Sequence, residues 1–593
     1  MNPRFASTPR PGIRLVLLLL AWAGGCGGGP SEPVRPDGGP GRDGGCVSTE
    51  PTCEGDEALE CRDGEVVRQT CEGICVDGIG CAVCEPGRGS CDGDTPRVCR
   101  ADGTGWDEAA ACDPAAGSVC DPLFGRCVDL CEDAAETRSY RGCEYWPVTT
   151  INALLDREVF AFAVVVANPQ EHPVTVTITR GTETIDEQVI DPGDSRAIEL
   201  PWVEALQSPD ATAKVVSGAY RMRSSLPVTA YQYSPLQYQS GEDYSYSNDA
   251  SLLLPTTALG THYVVVTRPS GASAVFDTVE SSPGFVAIVA TEDGTEVDVT
   301  SSAHVLASTS RDLEALEPGG TTRVTLARGE VLQLLSGRPD VCDDRTEEGW
   351  CNVARPYDLT GTEIRASRPV EAIAGHSCAF VAWDRPSCDH LEESLFPVEA
   401  WGDSALVVPT QPFREEPQVV RIVSATDDNV LAFDPPGAHP AVTLDRGEIL
   451  ELETRTAFQV TGSDAIEVAQ LMVGQSYAFP GDGGQGDPSM SIVVPTEQFR
   501  SEYQVLTPGT YASDVINVIA PAGASVMVDG LRVGGFVPIG GTGFSFARVP
   551  LIQAGAHRVT GDVPFGVVAY GFAEFTSYMM PGGLDLTEIN PPI

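Results

Sequence analysis

The chain has 593 residues and a formal net charge of -47, from 84 acidic against 37 basic side chains. That balance excludes nucleic acid as a partner, because phosphate binding needs clustered Lys and Arg. Hydrophobic residues at 42% and charged residues at 20% are the composition of folded domains, and the length calls for several of them.

At the amino terminus, Arg4, Arg10 and Arg14 precede an apolar run from Leu15 to Ala23 and then Gly24-Gly25-Cys26. This is the basic, apolar and small-residue order of an export signal over 1–25, too short to span a membrane. Cysteine directly after small residues resembles the lipobox of bacterial lipoproteins, in which Cys26 is lipidated and becomes the mature terminus, although Ala23 stands where that motif has Leu. Parity points the same way, since of 19 cysteines the loss of Cys26 leaves an even number to pair in an oxidising compartment. Gly27 after Cys26 resembles lipoproteins sent on to the outer membrane. The resemblance implies an exported protein anchored at a bacterial outer membrane or cell surface, with the lipid bilayer engaged through acylated Cys26. Residues 26–45 are the lipidated Cys and a Gly/Pro tether, with a reach of roughly 25 Å.

Residues 46–143 hold 14 cysteines and few apolar residues, so cross-links must supply the stability of a disulfide stalk. The cysteines read as two sixes, Cys53 to Cys84 and Cys91 to Cys131, opened by the matching phrases Cys53-Glu-Gly-Asp and Cys91-Asp-Gly-Asp and flanked by Cys46 and Cys143. Six cysteines allow 15 pairings, which spacing cannot resolve. Cys81-Ala-Val-Cys84 has zinc-knuckle spacing, but export makes disulfides the simpler fate.

From Tyr145 onward, short Val, Ile, Thr and Phe runs alternate with Pro-Gly, Asp-Gly and Asn-Pro turns, the pattern of an all-β sandwich or barrel. Four phrases recur in order, giving units at 144–248, 249–388, 389–488 and 489–593. Each opens around a proline, Pro147, Pro255, Pro397 or Pro495, and closes with a strand such as Pro369-Val-Glu-Ala-Ile-Ala-Gly. Between these lie a hairpin, clearest at 285–299, and a Gly-led strand, Arg328-Gly-Glu-Val-Leu or Arg446-Gly-Glu-Ile-Leu. The expected fold is all-β: tandem sandwich units of roughly seven strands arranged as a row of beads and preceded by small disulfide-rich modules. Cys342 with Cys351 and Cys378 with Cys388 are each expected to form a local bridge.

Asn248-Asp-Ala-Ser-Leu-Leu-Leu-Pro255, Arg328-Gly-Glu-Val-Leu-Gln-Leu334, Asp358-Leu-Thr-Gly-Thr362, Gly375-His-Ser-Cys, Cys388-Asp-His-Leu-Glu-Glu and Ser577-Tyr-Met-Met-Pro-Gly-Gly together resemble the IgGFc-binding protein N-terminal domain family over roughly 145–590. The resemblance implies a secreted or surface binding module and assigns no ligand-contacting residue.

Other constellations carry weaker chemistry. His376, Asp389 and His390 bring metal-ligand types close in sequence, while Cys378 and Cys388 beside them are better used as a disulfide. Gly375-His-Ser-Cys-Ala379 starts like a nucleophile elbow but has Ala379 in place of the second glycine. Glu292-Asp-Gly294, Asp427-Asp428 and 481–487 suit calcium through carboxylate oxygens, and equally suit β-turns. Tyr231, Tyr233, Tyr238, Tyr244 and Tyr246 fall in one stretch, where they either stack on a sugar, anchor a protein or pack over a sandwich end. The expectation is a non-catalytic binding or adhesion module for an extracellular protein or glycan, without a cofactor unless calcium serves as one. The rival readings are a calcium- or metal-dependent hydrolase of surface polymers and a structural envelope spacer.

Overall fold

The computed structural model describes residues 46, 50–275, 278–310, 312–339, 342–347, 349–353, 355–385, 387–478 and 484–590. The export signal, Cys26 and the tether lie outside the described residues. The chain divides into two compact units. The smaller comprises Met1–Ser90, Arg97–Ala109 and Leu123–Gly125, and the larger comprises Cys91–Pro96, Ala110–Pro122 and Arg126–Ile593. Among the described residues no helix is long and apolar enough to cross a membrane.

The eighteen cysteines beyond Cys26 form nine disulfides. In the cysteine-rich region the pairs are Cys46–Cys61, Cys53–Cys75 and Cys71–Cys81, then Cys84–Cys99, Cys91–Cys120 and Cys112–Cys127. Both sets of six therefore join first to third, second to fifth and fourth to sixth. This corrects the frame expected from the repeated Cys-acid-Gly-Asp phrase. Each module starts one cysteine earlier, at Cys46 and Cys84, and the phrase sits on its second cysteine. Cys81 and Cys84 belong to different modules, and Cys131–Cys143 stands as a separate bridge.

The four β units share one plan. In each, an outer antiparallel sheet of four strands lies back to back with an inner one of four or five. The second unit shows it plainly. Its inner sheet runs Ala213–Val215, lent by the first unit, then Val331–Leu335, Gly284–Ala290, Val370–Phe380, Cys388–Ser394, and its outer sheet Thr321–Leu326, Thr295–Thr300, Glu363–Ala366, His262–Val264. In the first and fourth units a single long strand, Arg221–Ser234 or Gly555–Ala573, serves both sheets. Sequence pattern follows position. Gly284–Ala290 is buried along its whole length and is apolar throughout, whereas Thr295–Thr300 alternates buried and exposed, since one face meets solvent.

The strands that close the inner sheets are Asp249–Leu252, Cys388–Ser394, Ser489–Ile492 and Thr576–Pro581. Each packs on the next and the last packs on the first, so the four units form a closed ring rather than a row of beads. The largest buried apolar cluster accordingly draws side chains from all four units, from Tyr140 through Tyr263 and Trp401 to Leu586. A row would leave the flank of each inner sheet wet, and the apolar, doubly buried inner strands forbid that. Because Asp249–Leu252 pairs with Arg221–Ser234, each unit's inner sheet ends just short of the proline that opens the next unit.

Two repeated devices fix the units. Tyr145 Oη accepts from Gly142 N at 2.8 Å and donates to Val228 O at 2.6 Å. Tyr263 does the same between Gly260 N and Val370 O, and Tyr503 between Arg500 N and Phe565 O. Ala405 takes that position in the third unit. The Arg-Gly-Glu phrase is turn chemistry. Glu330 Oε2 accepts from Ala327 N and Glu448 Oε2 from Asp445 N, while Asp293 and Asp427, in the turns that carry the chain from inner to outer sheet, accept from Arg328 N and Arg446 N. The hairpin expected over 285–299 is therefore not formed, because its two strands pair in different sheets.

Candidate binding face

In every unit the long inner strand turns into the closing strand at the same end of the ring. That end is built from four connections: 235–248, 381–387, the described part of 473–488, and the tight turn at Glu574–Phe575. They interlock. Gly474 N donates to Val381 O at 2.5 Å, Gly486 N to Ala573 O at 3.0 Å and Phe575 N to Gly484 O at 3.2 Å. Arg385 lies 5.5 Å from the Tyr477 ring.

Aromatic side chains gather here. Tyr244 packs edge-on against Phe575 at 5.5 Å, Tyr246 lies 5.2 Å from Phe575, and Tyr238 bridges from Tyr244 to Tyr511. Tyr244 Oη donates to Glu574 Oε2 at 3.0 Å, and that carboxylate raises the phenol's pKa. Tyr246 is 53% exposed. Tyr246 and Phe575 both have left-handed backbones, at φ 49° and 60°. A bulky residue there costs about 1 to 3 kcal/mol and persists only where surroundings impose it. The five tyrosines of the sequence thus divide: Tyr231 and Tyr233 are fully buried in the core, and Tyr238, Tyr244 and Tyr246 build the surface cluster.

Behind this face, the ring axis is acidic and buried. Asp249 Oδ1 accepts from Ser489 Oγ at 2.8 Å, and Oδ2 accepts from Glu392 N at 3.1 Å and Met490 N at 3.2 Å, so one carboxyl ties three closing strands together. Burial pushes Asp249, Asp389, Glu393 and Asp487 well above the usual carboxylate range. Ser251 Oγ donates to Glu393 Oε1 at 2.9 Å.

The three residues weighed as metal ligands do not converge. His376 pairs in register with Leu391, so His390 projects from the opposite face of the sheet. His376 Nδ1 accepts from Cys378 N at 3.1 Å, leaving Nε2 to face Pro269 O at 3.0 Å, and burial holds this imidazole neutral with a pKa of about 3. His390 stacks on Phe285, and Asp389 Oδ1 accepts from Asn248 N at 2.6 Å. Among the described residues, no three His, Cys, Asp or Glu side chains come together as a metal site. Ser377 lies buried inside a strand. Cys342–Cys351 and Cys378–Cys388 are bonded, the latter clasping the second unit's connection on the face.

Phe575 and Glu574 escaped the sequence reading. The signal was available in the repeat itself, because Tyr570-Gly-Phe-Ala-Glu-Phe aligns with Tyr231-Gln-Tyr-Ser at the equivalent strand end.

A family model described as IgGFc binding protein matches residues 249–571, more than half of the chain. A human IgGFc-binding protein is 24% identical over 434 residues, covering 72% of this chain and 7% of the relative, so the chain spans a small part of that protein's length. No solved structure matches. The matched span begins at Asp249, the carboxyl that ties the closing strands, and reaches Gly571 beside the aromatic turn, and the chain belongs to the IgGFc-binding protein family.

Proposed function

We propose that this chain is an exported, non-catalytic binding module that holds an extracellular protein against the end of its ring, with Tyr244, Tyr246 and Phe575 as the anchor. The observation that carries this reading is the surface aromatic cluster on interlocked connections of different units, two of its members held in costly backbone conformations. Aromatic anchors on a rigid scaffold are the usual centre of binding energy. Membership of the family supports binding of an extracellular protein, and immunoglobulin Fc, named in the human relative, is the first partner to test. Lipidation at Cys26 would hold the module at a bacterial surface by acyl chains.

The test uses residues 46–593 against immobilised Fc and other extracellular proteins, with Tyr246→Ser and Phe575→Gly. Glycine accepts φ 60° without strain, so Phe575→Gly should keep or raise the melting temperature while weakening capture by roughly tenfold or more. Undiminished capture by both variants would remove the face from the reading. Cys26→Ala should release the protein from the membrane fraction, and retention there would end the lipoprotein reading.

A further inference from the structure

Next to the aromatic face lies a cavity of about 300 Å³, sharing Gln485 and Gly486 with it. Its walls are apolar on one side, where Phe413 meets Phe572 edge-on at 4.7 Å over Met472. Gly486, at φ 84°, keeps it open, since a Cβ there would press to 3.3 Å from both phenylalanine rings. On the other side stand Arg455 and Arg548. Arg548 Nη2 donates to Pro409 O at 2.8 Å while its Nε is buried without a hydrogen-bond partner. Arg455 spends its Nε on Glu415 O at 2.6 Å. Arg548 Nη2 also donates to Thr410 O at 3.3 Å, so of the five N–H donors on each guanidinium Arg455 keeps most for a ligand and Arg548 keeps fewer.

Among the acids of the wall, Glu415 is exposed to solvent and offers its backbone oxygen to Arg455, and Glu416 is already spent, accepting from Phe413 N at 2.6 Å and Arg414 N at 2.9 Å. Asp487 is fully buried, and burial favours its neutral form. In a chain with 84 acidic and 37 basic residues, a cavity pairing arginines with edge-on phenylalanines departs from the chain's own surface chemistry. It suits an anion on an apolar body. Arginine favours carboxylate through paired N–H donors, and the cavity has the volume of a small-ligand site.

Resting on the binding reading above, we propose that this cavity receives the C-terminal residue of a partner polypeptide, its carboxylate on Arg455 and Arg548 and its apolar side chain against the edge-on pair Phe413 and Phe572. The apolar wall favours such a residue over an acidic sugar, whose hydroxyls would find few partners there.

The probes are N-acetyl-L-phenylalanine, its uncharged amide and N-acetylneuraminic acid, titrated into residues 46–593 by calorimetry. The carboxylate probe should bind saturably, and the amide at least about tenfold more weakly. Arg455→Met, at an exposed position, and Phe413→Ala, 37% exposed, should each weaken the carboxylate probe severalfold with the melting temperature unchanged. Equal binding of acid and amide, preference for N-acetylneuraminic acid, or no saturable binding overturns the proposal. Tyr246→Ser, measured for protein capture in the same preparations, separates the two ideas. Weakened capture with no probe binding removes the cavity assignment alone, and probe binding with unaltered capture removes the aromatic face alone.

Discussion

Arg421 of the third unit places Nη2 2.5 Å from Asp358 Oδ2 of the second, with both side chains almost wholly buried. The same guanidinium donates to Thr360 Oγ1 at 2.8 Å and to Thr267 O, and its Nε lies 2.9 Å from Glu451 Oε2. Asp358-Leu-Thr-Gly is thus a socket between units. Arg421→Met leaves Asp358 buried and uncompensated, which costs about 3 to 5 kcal/mol. The double variant Arg421→Met with Asp358→Leu should recover much of that loss in denaturant unfolding. Equal destabilisation by single and double variants would show that the pair does not couple the units. Burial alone would push the Glu451 carboxyl up, but Arg268 and Arg421 overcome it and hold it at about 2. Its contribution is present above the ordinary 4.5 and is lost as pH falls towards 2.

Glu371 carries the opposite sign. It is fully buried with both oxygens unpartnered, and burial pushes it to about 8 from the usual 4.5. The folded protein therefore binds this proton more tightly than the unfolded chain, and stability falls as pH rises from 4.5 to 8. Glu371→Gln should flatten that slope and make the variant the more stable of the two at pH 8. Parallel unfolding curves for both proteins across the window would contradict the buried neutral carboxyl. The neutral, buried His376 acts in the other direction, removing stability as pH falls from 6.5 towards 3.

The tyrosine braces predict a common cost. Tyr263→Phe leaves Gly260 N and Val370 O without their shared partner inside the core, at about 1 to 3 kcal/mol. Tyr145→Phe should cost a similar amount. A change within experimental error for both would mean that these groups find water instead.

Much of a unit was readable from sequence, and its assembly was not. The inner strand Phe285-Val-Ala-Ile-Val-Ala announces itself as an unbroken apolar run and Thr295–Thr300 by its alternation, although the turn between them joins two sheets and forms no hairpin. The recurring Arg-Gly-Glu marks a turn whose glutamate and whose facing Asp293 or Asp427 cap backbone N–H groups. The closing strands read falsely. Asp249-Ala-Ser and Asp389-His-Leu-Glu-Glu look like solvent-facing or metal-ligating phrases, because buried acids are rare and composition gives no hint that neighbouring strands supply their partners. Ring closure rests on those contacts, whereas the row of beads followed from the tandem repeat alone, which carries no information on how the units pack. The cysteine frame failed for a different reason, since the eye fixed on a repeated acidic phrase instead of on the equal spacings Cys46 to Cys61 and Cys84 to Cys99.

Chelation provides a direct check on the acidic turns. Asp293 and Asp427 already accept backbone N–H groups, and Glu292 pairs with Arg368 at 2.5 Å. Their carboxylates are engaged as turn caps. Chelator should leave the melting temperature unchanged, and a fall reversed by calcium would assign these loops to the ion.

The ring closes through its last residues. Tyr140 N donates to Leu584 O at 3.1 Å, Leu586 N to Arg138 O at 2.7 Å, and Arg500 pairs with Asp585, so 582–586 lie between the fourth unit and the start of the first. Leu584 and Leu586 are fully buried in the cluster that all four units share. Truncation after Pro581 removes this seam while leaving every unit's two sheets intact. If the closed ring folds as one cooperative body, the truncated chain should lose the single unfolding transition and expose the Tyr140 and Tyr503 region to protease. Leu586→Ala, which removes one buried side chain, should cost about 2 to 5 kcal/mol and keep the transition single. A truncated chain that unfolds as sharply as the full one would show that the units are stable without closure, and that the shared core contributes less than each unit's own sandwich.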